Sequence, residues 1–83
     1  MKINLELYAS LMRLLPPGDS RHHRTMEVRE GITAQGFIEH LGISDEEAHI
    51  LLVNGHFVCG EERLSRALVE GETISIWPPV AGG

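Results

Sequence analysis

The side chains of this 83-residue sequence that could carry chemistry are five histidines, one cysteine and the carboxylate pairs Glu46-Glu47 and Glu61-Glu62. Their spacing assembles no reactive centre. His22, His23, His40, His49 and His56 include no i, i+4 pair of the kind that holds a catalytic zinc on a helix. His22 and His23 are adjacent in a polar stretch without metal-ligand spacing, so they read as a solvated loop and no metal site is expected. Cys59 stands alone in "VCGEE", too few thiols for an internal disulfide or a Cys-ligated cluster, and reads as a small strand-end residue. The paired glutamates fall on expected turns as solvated faces. Gly31, Gly36 and Gly42 fit neither a dinucleotide nor a phosphate-binding loop.

What remains is the ending, "WPPVAGG". Pro78 and Pro79 lock φ and favour a stiff, extended arm. Val80 and Ala81 are small enough for a narrow apolar channel. Gly82 and Gly83 carry no side chain, so the backbone can pass a constriction and approach a bound nucleotide closely. From Val80 to Gly83 the reach is roughly 13 Å, at about 3.3 Å per residue. The α-carboxylate of Gly83 is therefore the candidate reactive group, offered as a substrate to another protein's active site.

The elements that would position this tail follow from periodicity. Ile3, Leu5 and Leu7 alternate with Asn4 and Glu6 as a half-buried strand. "ASLMRLLPPG" allows at most two helical turns before Pro16-Pro17-Gly18, and "DSRHHR" reads as loop. "TMEVRE" alternates again, with Met26 and Val28 on one face. In "ITAQGFIEHLG" Thr33 is an N-cap, Ala34, Phe37, Ile38 and Leu41 share a helix face, and Gly42 suits a left-handed end. Gly36 inside that helix costs about 1 kcal/mol against Ala, so packing must support it. "SDEE" has capping-box spacing for a single turn. "ILLVNGHFV" reads as a hairpin turning on Asn54-Gly55, "EERLSRALVEGE" as irregular or briefly helical, and "TISIW" as a last strand ended by Pro78.

One good helix with four or five short strands makes an α+β domain, a mixed sheet with the helix packed across one face. The expected architecture is a β-grasp roll over residues 1–83, with a flexible tail over 78–83. Trp77 lies opposite Ile74 and Ile76 by alternation, which places it on the open sheet face, where it and Phe57 are expected to form a docking patch.

Composition narrows the partners. A hydrophobic content of 42% fits a folded chain, and scarce aromatics imply a core of Ile, Leu and Val. A net charge of −5, with Arg21-His22-His23-Arg24 as the basic cluster, argues against nucleic acid. No run approaches the roughly 20 apolar residues of a membrane span, and "MKINLELYAS" has no signal-peptide core. A cytoplasmic protein is expected.

The tail "PPVAGG", the "LLVNG" strand and turn, the "VEGETISI" approach to the last strand and the opening "INLELYASL" resemble the MoaD/ThiS family of ubiquitin-like sulfur carriers over nearly the whole chain. Among them, the double proline is more like the molybdopterin synthase small subunit than the thiamin carrier. The resemblance implies a carrier, not an enzyme, with no bound cofactor. An ATP-using, ubiquitin-activating-type adenylyltransferase (MoeB/ThiF-like) would adenylate the Gly83 carboxylate. A sulfur donor protein would displace AMP to leave a thiocarboxylate. A molybdopterin synthase large subunit (MoaE-like) would accept Gly82-Gly83, with Pro78, Pro79, Val80, Ala81, Trp77 and Phe57 as its contacts, to build the dithiolene of the molybdenum or tungsten cofactor. Another acceptor, for thiazole or tRNA thiolation, would use the same chemistry. Two other classes stay open: a ubiquitin-like binding module whose tail is never activated, and an enzyme using Cys59 or the histidines. The Pro16-Pro17 end of the first helix, the "DSRHHR" loop and Trp77 in place of a common Phe depart from the family pattern.

Overall fold

The computed structural model describes residues 1–79; Val80, Ala81, Gly82 and Gly83 lie outside the described residues. Five strands form one sheet: β1 (Lys2–Leu7), β2 (His23–Glu27), β3 (Ile50–Val53), β4 (His56–Phe57) and β5 (Thr73–Trp77). Their order is β2-β1-β5-β3-β4. β1 and β5 run parallel in the middle, and every other pairing is antiparallel. Two helices complete the fold, α1 (Ala34–Leu41) and α2 (Gly60–Ser65).

Alternation decides which face is covered. Ile3, Leu5 and Leu7 of β1, Leu51 and Val53 of β3, and Ile74 and Ile76 of β5 are all buried on one side. Phe37, Ile38 and Ala34 of α1 pack onto that side, joined by Leu11, Ile32, Ile43, Ala48 and Leu68. Leu41 is partly buried at the rim of this cluster. The core is aliphatic apart from Phe37, as the composition implies.

The ends of α1 are set locally. Thr33 Oγ1 accepts from Gly36 N at 3.0 Å, and Gly42 closes the helix at φ 76. Gly36 is more than a weak point: a Cβ there would lie 3.1 Å from Ile32 Cγ1 and 3.3 Å from Thr33 Oγ1, crowding the cap. Ser44 and Glu47 form the expected box, with Glu47 N donating to Ser44 Oγ (3.1 Å) and Ser44 N to Glu47 Oε1 (3.2 Å). Asn54 (φ 51) and Gly55 (φ 82) make the two-residue hairpin turn between β3 and β4.

Ala9–Leu14 is a short 3₁₀ segment, within the expected two turns, and only Leu11 of it is fully buried. Two expectations are corrected. The "DSRHHR" stretch is not all loop: β2 begins at His23, because Glu6 and Leu5 of β1 take His23 and Arg24 as their cross-strand partners. Arg24 is half-buried and donates to the carbonyls of Pro16 (2.6 Å) and His23 (2.6 Å) and to that of Ser20, tying down the 16–20 segment. Cys59 is the N-cap residue of α2 and not a strand end, its N–H directed at Glu62 Oε1 at 3.5 Å.

Candidate functional site

The antiparallel and parallel pairings bring four chain segments to one end of the sheet. β1 and β5 both finish there, at Leu7 and Trp77, while β2 and β3 both start there, at His23 and Ile50. Pro78 and Pro79 follow β5 at this end of the sheet. Pro78 ends β5 as expected, because it has no N–H for a ladder.

Trp77 occupies the open face, stacked on Tyr8 with ring centroids 4.4 Å apart and planes 3° from parallel. Tyr8 in turn stacks on His22 at 5.0 Å and 26°. The backbone supports the stack: Tyr8 N donates to Ile76 O (3.2 Å), extending the β1–β5 ladder, and Leu7 N donates to His22 O (2.9 Å). Beneath the rings, Glu6 Oε1 accepts from Tyr8 Oη (3.1 Å) and from Ser75 Oγ (2.7 Å). Burial, and then the Glu6 carboxylate, raise the Tyr8 hydroxyl above the usual tyrosine range, so it stays a donor. Ser75 is buried on this otherwise open face, and Glu6 satisfies it.

Ile50 pairs with Trp77, Leu52 with Ser75, and Phe57 with Leu52. By register these residues share the open face with Trp77. Phe57 is 60% exposed at the sheet edge. Trp77 and Phe57 thus fall on one side of the sheet, with Ile50 and Leu52 between them. The sequence reading named Trp77 and Phe57 and missed Tyr8, Glu6, Ser75, Ile50 and Leu52. No local signal marks them: the parallel register that sets Glu6 beside Ser75 and Leu7 beside Ile76, and so Tyr8 next to Trp77, appears only in the folded sheet. Gly82, Gly83, Val80 and Ala81 lie outside the described residues.

The other candidates do not converge on this end. His23 is exposed in β2 with Nε2 3.3 Å from Asn4 Oδ1, while His22 belongs to the stack. Among the described residues no group of three or more His, Cys, Asp or Glu side chains could hold a metal ion. Nor is any helix among them long and apolar enough to cross a membrane. An open groove of about 570 Å³ between α1 and α2 is bordered by Glu39, Asp45, Glu46, His49, Phe57 and Leu64. Arg63 beneath it is buried and donates to the carbonyls of Ala48 (2.7 Å), His49 (3.3 Å) and Val58 (3.4 Å), so it is a structural cation.

Solved structures share this fold. The chain superposes on SAMP1 from Haloferax volcanii with a TM-score of 0.69 at 19% identity, covering 100% of both chains. It superposes on a putative molybdopterin converting factor subunit 1 from Pyrococcus furiosus with a TM-score of 0.67 at 21% identity, covering 95% of this chain and 98% of that one. A complex of subunits 1 and 2 of the molybdopterin-converting factor from Helicobacter pylori also matches, with a TM-score of 0.59 at 16% identity and full coverage of both chains. These likenesses establish the ubiquitin-like β-grasp fold. No curated protein sequence matches the chain. The model of the ThiS family does, over residues 6–83, from the end of β1 through the final glycine pair. A β-grasp domain whose last central strand leads into that tail therefore belongs to the ThiS family of sulfur carriers.

Proposed function

We propose that this chain carries sulfur on the C-terminal carboxylate of Gly83 for molybdopterin synthesis. The observation that carries the proposal is the family match running through Gly82-Gly83 on a chain whose double proline stiffens the approach. A carboxylate has no leaving group, so it must be activated first. Its oxygen attacks the α-phosphorus of ATP and releases pyrophosphate. Hydrosulfide, or an equivalent delivered by a sulfur donor protein, then attacks the acyl carbon, expels AMP and leaves a thiocarboxylate and a proton. ATP and the catalytic groups belong to an adenylyltransferase of the ubiquitin-activating type. The carrier supplies no acid or base; it contributes placement of the reacting atom.

The docking surface in this reading is the open face around Trp77, Ile50, Leu52 and Phe57. It offers aromatic and aliphatic side chains next to the tail, the composition of an interface centre. Pro78, Pro79, Val80 and Ala81 thread the partner's channel. The subunit 1 and 2 complex to which the chain is structurally similar supports a large molybdopterin synthase subunit as the acceptor. The same loaded tail would serve a thiazole or tRNA-thiolating acceptor by the same chemistry.

The acceptor is tested by mixing thiocarboxylated protein with a molybdopterin synthase large subunit and its pterin precursor. Dithiolene formation, with loss of sulfur from the carrier, is expected. A loaded carrier that keeps its sulfur there but gives it to a thiazole or tRNA system would move the protein to that pathway.

A further inference from the structure

The segment between Pro16 and His23, which departs from the family pattern, ends in the outer ring of the aromatic stack. Ser20 Oγ accepts from both His22 N (3.3 Å) and His23 N (3.1 Å), and Arg24 holds the carbonyls of Pro16 and Ser20. His22 Nδ1 lies 3.4 Å from Leu7 O, which fixes the imidazole edge while its face covers Tyr8. Tyr8 is held from the other direction by Glu6, itself bonded to Ser75 of β5. Ala9, next in sequence, sits at φ 52, a left-handed conformation that costs a residue with a Cβ about 1 kcal/mol. A strained turn, a tied-down loop and a carboxylate all converge on one ring, and that ring lies flat on Trp77.

Trp77 is the last residue before two prolines. The fixed φ of Pro78 and of Pro79 leaves fewer torsions there to absorb a swing of Trp77. Pro78 and Pro79 together span roughly 6–7 Å when extended, so a swing of about 10° at Trp77 moves the end of Pro79 by roughly 1 Å. Misplacement by about 1 Å can cost on the order of a hundredfold in rate.

We infer that Tyr8 and His22 clamp Trp77 and thereby fix the direction in which the tail leaves β5, making both of them positioning residues for activation of Gly83. The clamp goes beyond the carrier reading and rests on it only for its kinetic consequence. It also gives the "DSRHHR" segment a task, the presentation of His22.

Trp77 is the sole tryptophan, so its emission reports the clamp directly. The test compares wild type with His22→Ala, Tyr8→Ala and His22→Phe. Quenching by acrylamide and time-resolved anisotropy of Trp77 are read first, then adenylation by an activating enzyme from the same cell. In both alanine variants Trp77 is expected to become more mobile and more quenchable. Their kcat should fall about tenfold or more, by a larger factor than KM rises, because the side chains of the docking face remain while placement of the tail is lost. His22→Phe restores a ring and should restore both readouts. Unchanged Trp77 mobility in His22→Ala overturns the clamp. So does a rise in KM at constant kcat, which would make these residues docking contacts instead. A wild-type protein that is never adenylated removes the carrier reading, and Trp77 mobility alone then decides the clamp.

Discussion

The two ends of β5 are secured by different physics. At the Thr73 end, Glu72 is mostly buried and collects a set of directional bonds: Arg66 Nη2 at 2.6 Å, Val69 N at 2.7 Å and Asn54 Nδ2 at 3.2 Å. Asn54 Oδ1 answers by accepting from Thr73 N at 2.9 Å. At the Trp77 end the side chain is fixed by stacked rings. Hydrogen bonds and ion pairs hold a group through direction and distance, whereas stacked rings hold it through contact area and offset. The directional network sits where the chain only has to turn. The stack sits where the chain leaves the sheet toward a partner.

Breaking what lies between the two ends should have the largest effect. Ile74 is fully buried on the covered face, and Ile74→Ala should cost about 2–5 kcal/mol, enough to threaten folding of a domain this size. Urea unfolding measures it directly.

Next comes the stack. Trp77→Ala should cost about 1–2 kcal/mol, since the side chain is half-buried and its pairing with Tyr8 adds to the burial. Its effect on transfer chemistry should exceed its effect on stability, a contrast that parallel kinetic and unfolding measurements would expose.

The Glu72 network should give about 1 kcal/mol when broken by Glu72→Gln, at the low end because Arg66 is 35% exposed and screened. Here the pH dependence is diagnostic. The Arg66 guanidinium, with help from the Val69 N–H, holds the Glu72 carboxyl below the usual carboxylate range against the opposing effect of burial. A depressed carboxylate contributes stability above its unfolded pKa, about 4.3, that is lost as pH falls through the folded value. Acid unfolding of Glu72→Gln should therefore be shallower than that of wild type below about pH 4.3. Identical acid profiles would mean the pair contributes nothing.

The smallest stability effect belongs to Phe57, on the open face. Phe57→Ala should change stability by no more than about 0.5 kcal/mol, yet weaken binding to the activating enzyme or acceptor about tenfold. Titration calorimetry separates the two.

The same contrast explains what could be read without coordinates. β1, the β3–β4 hairpin, β5 and α1 were legible because each signal lies within a few residues: alternation, Asn54-Gly55, Thr33 and Gly42. The tail motif was legible for the same reason. The start of β2 was not, since His23 and Arg24 are polar and become strand only through pairing with Glu6 and Leu5. The stack was hidden too. His22, Tyr8 and Trp77 are far apart in sequence, and none of them carries a local mark of stacking. Ser75 and Glu6, 69 residues apart, meet only because β1 and β5 run parallel in register.

The central claim, that Gly83 is the chemical working end of a folded carrier, is tested most directly by intact mass. The protein with a free C-terminus is incubated with ATP, an activating enzyme from the same cell and a sulfur donor, beside a variant lacking Gly83. A mass gain equal to one oxygen replaced by sulfur, in wild type alone, is the expected result. No gain with an activating enzyme shown to be competent on another carrier would contradict it, and the domain would then act through its open face alone.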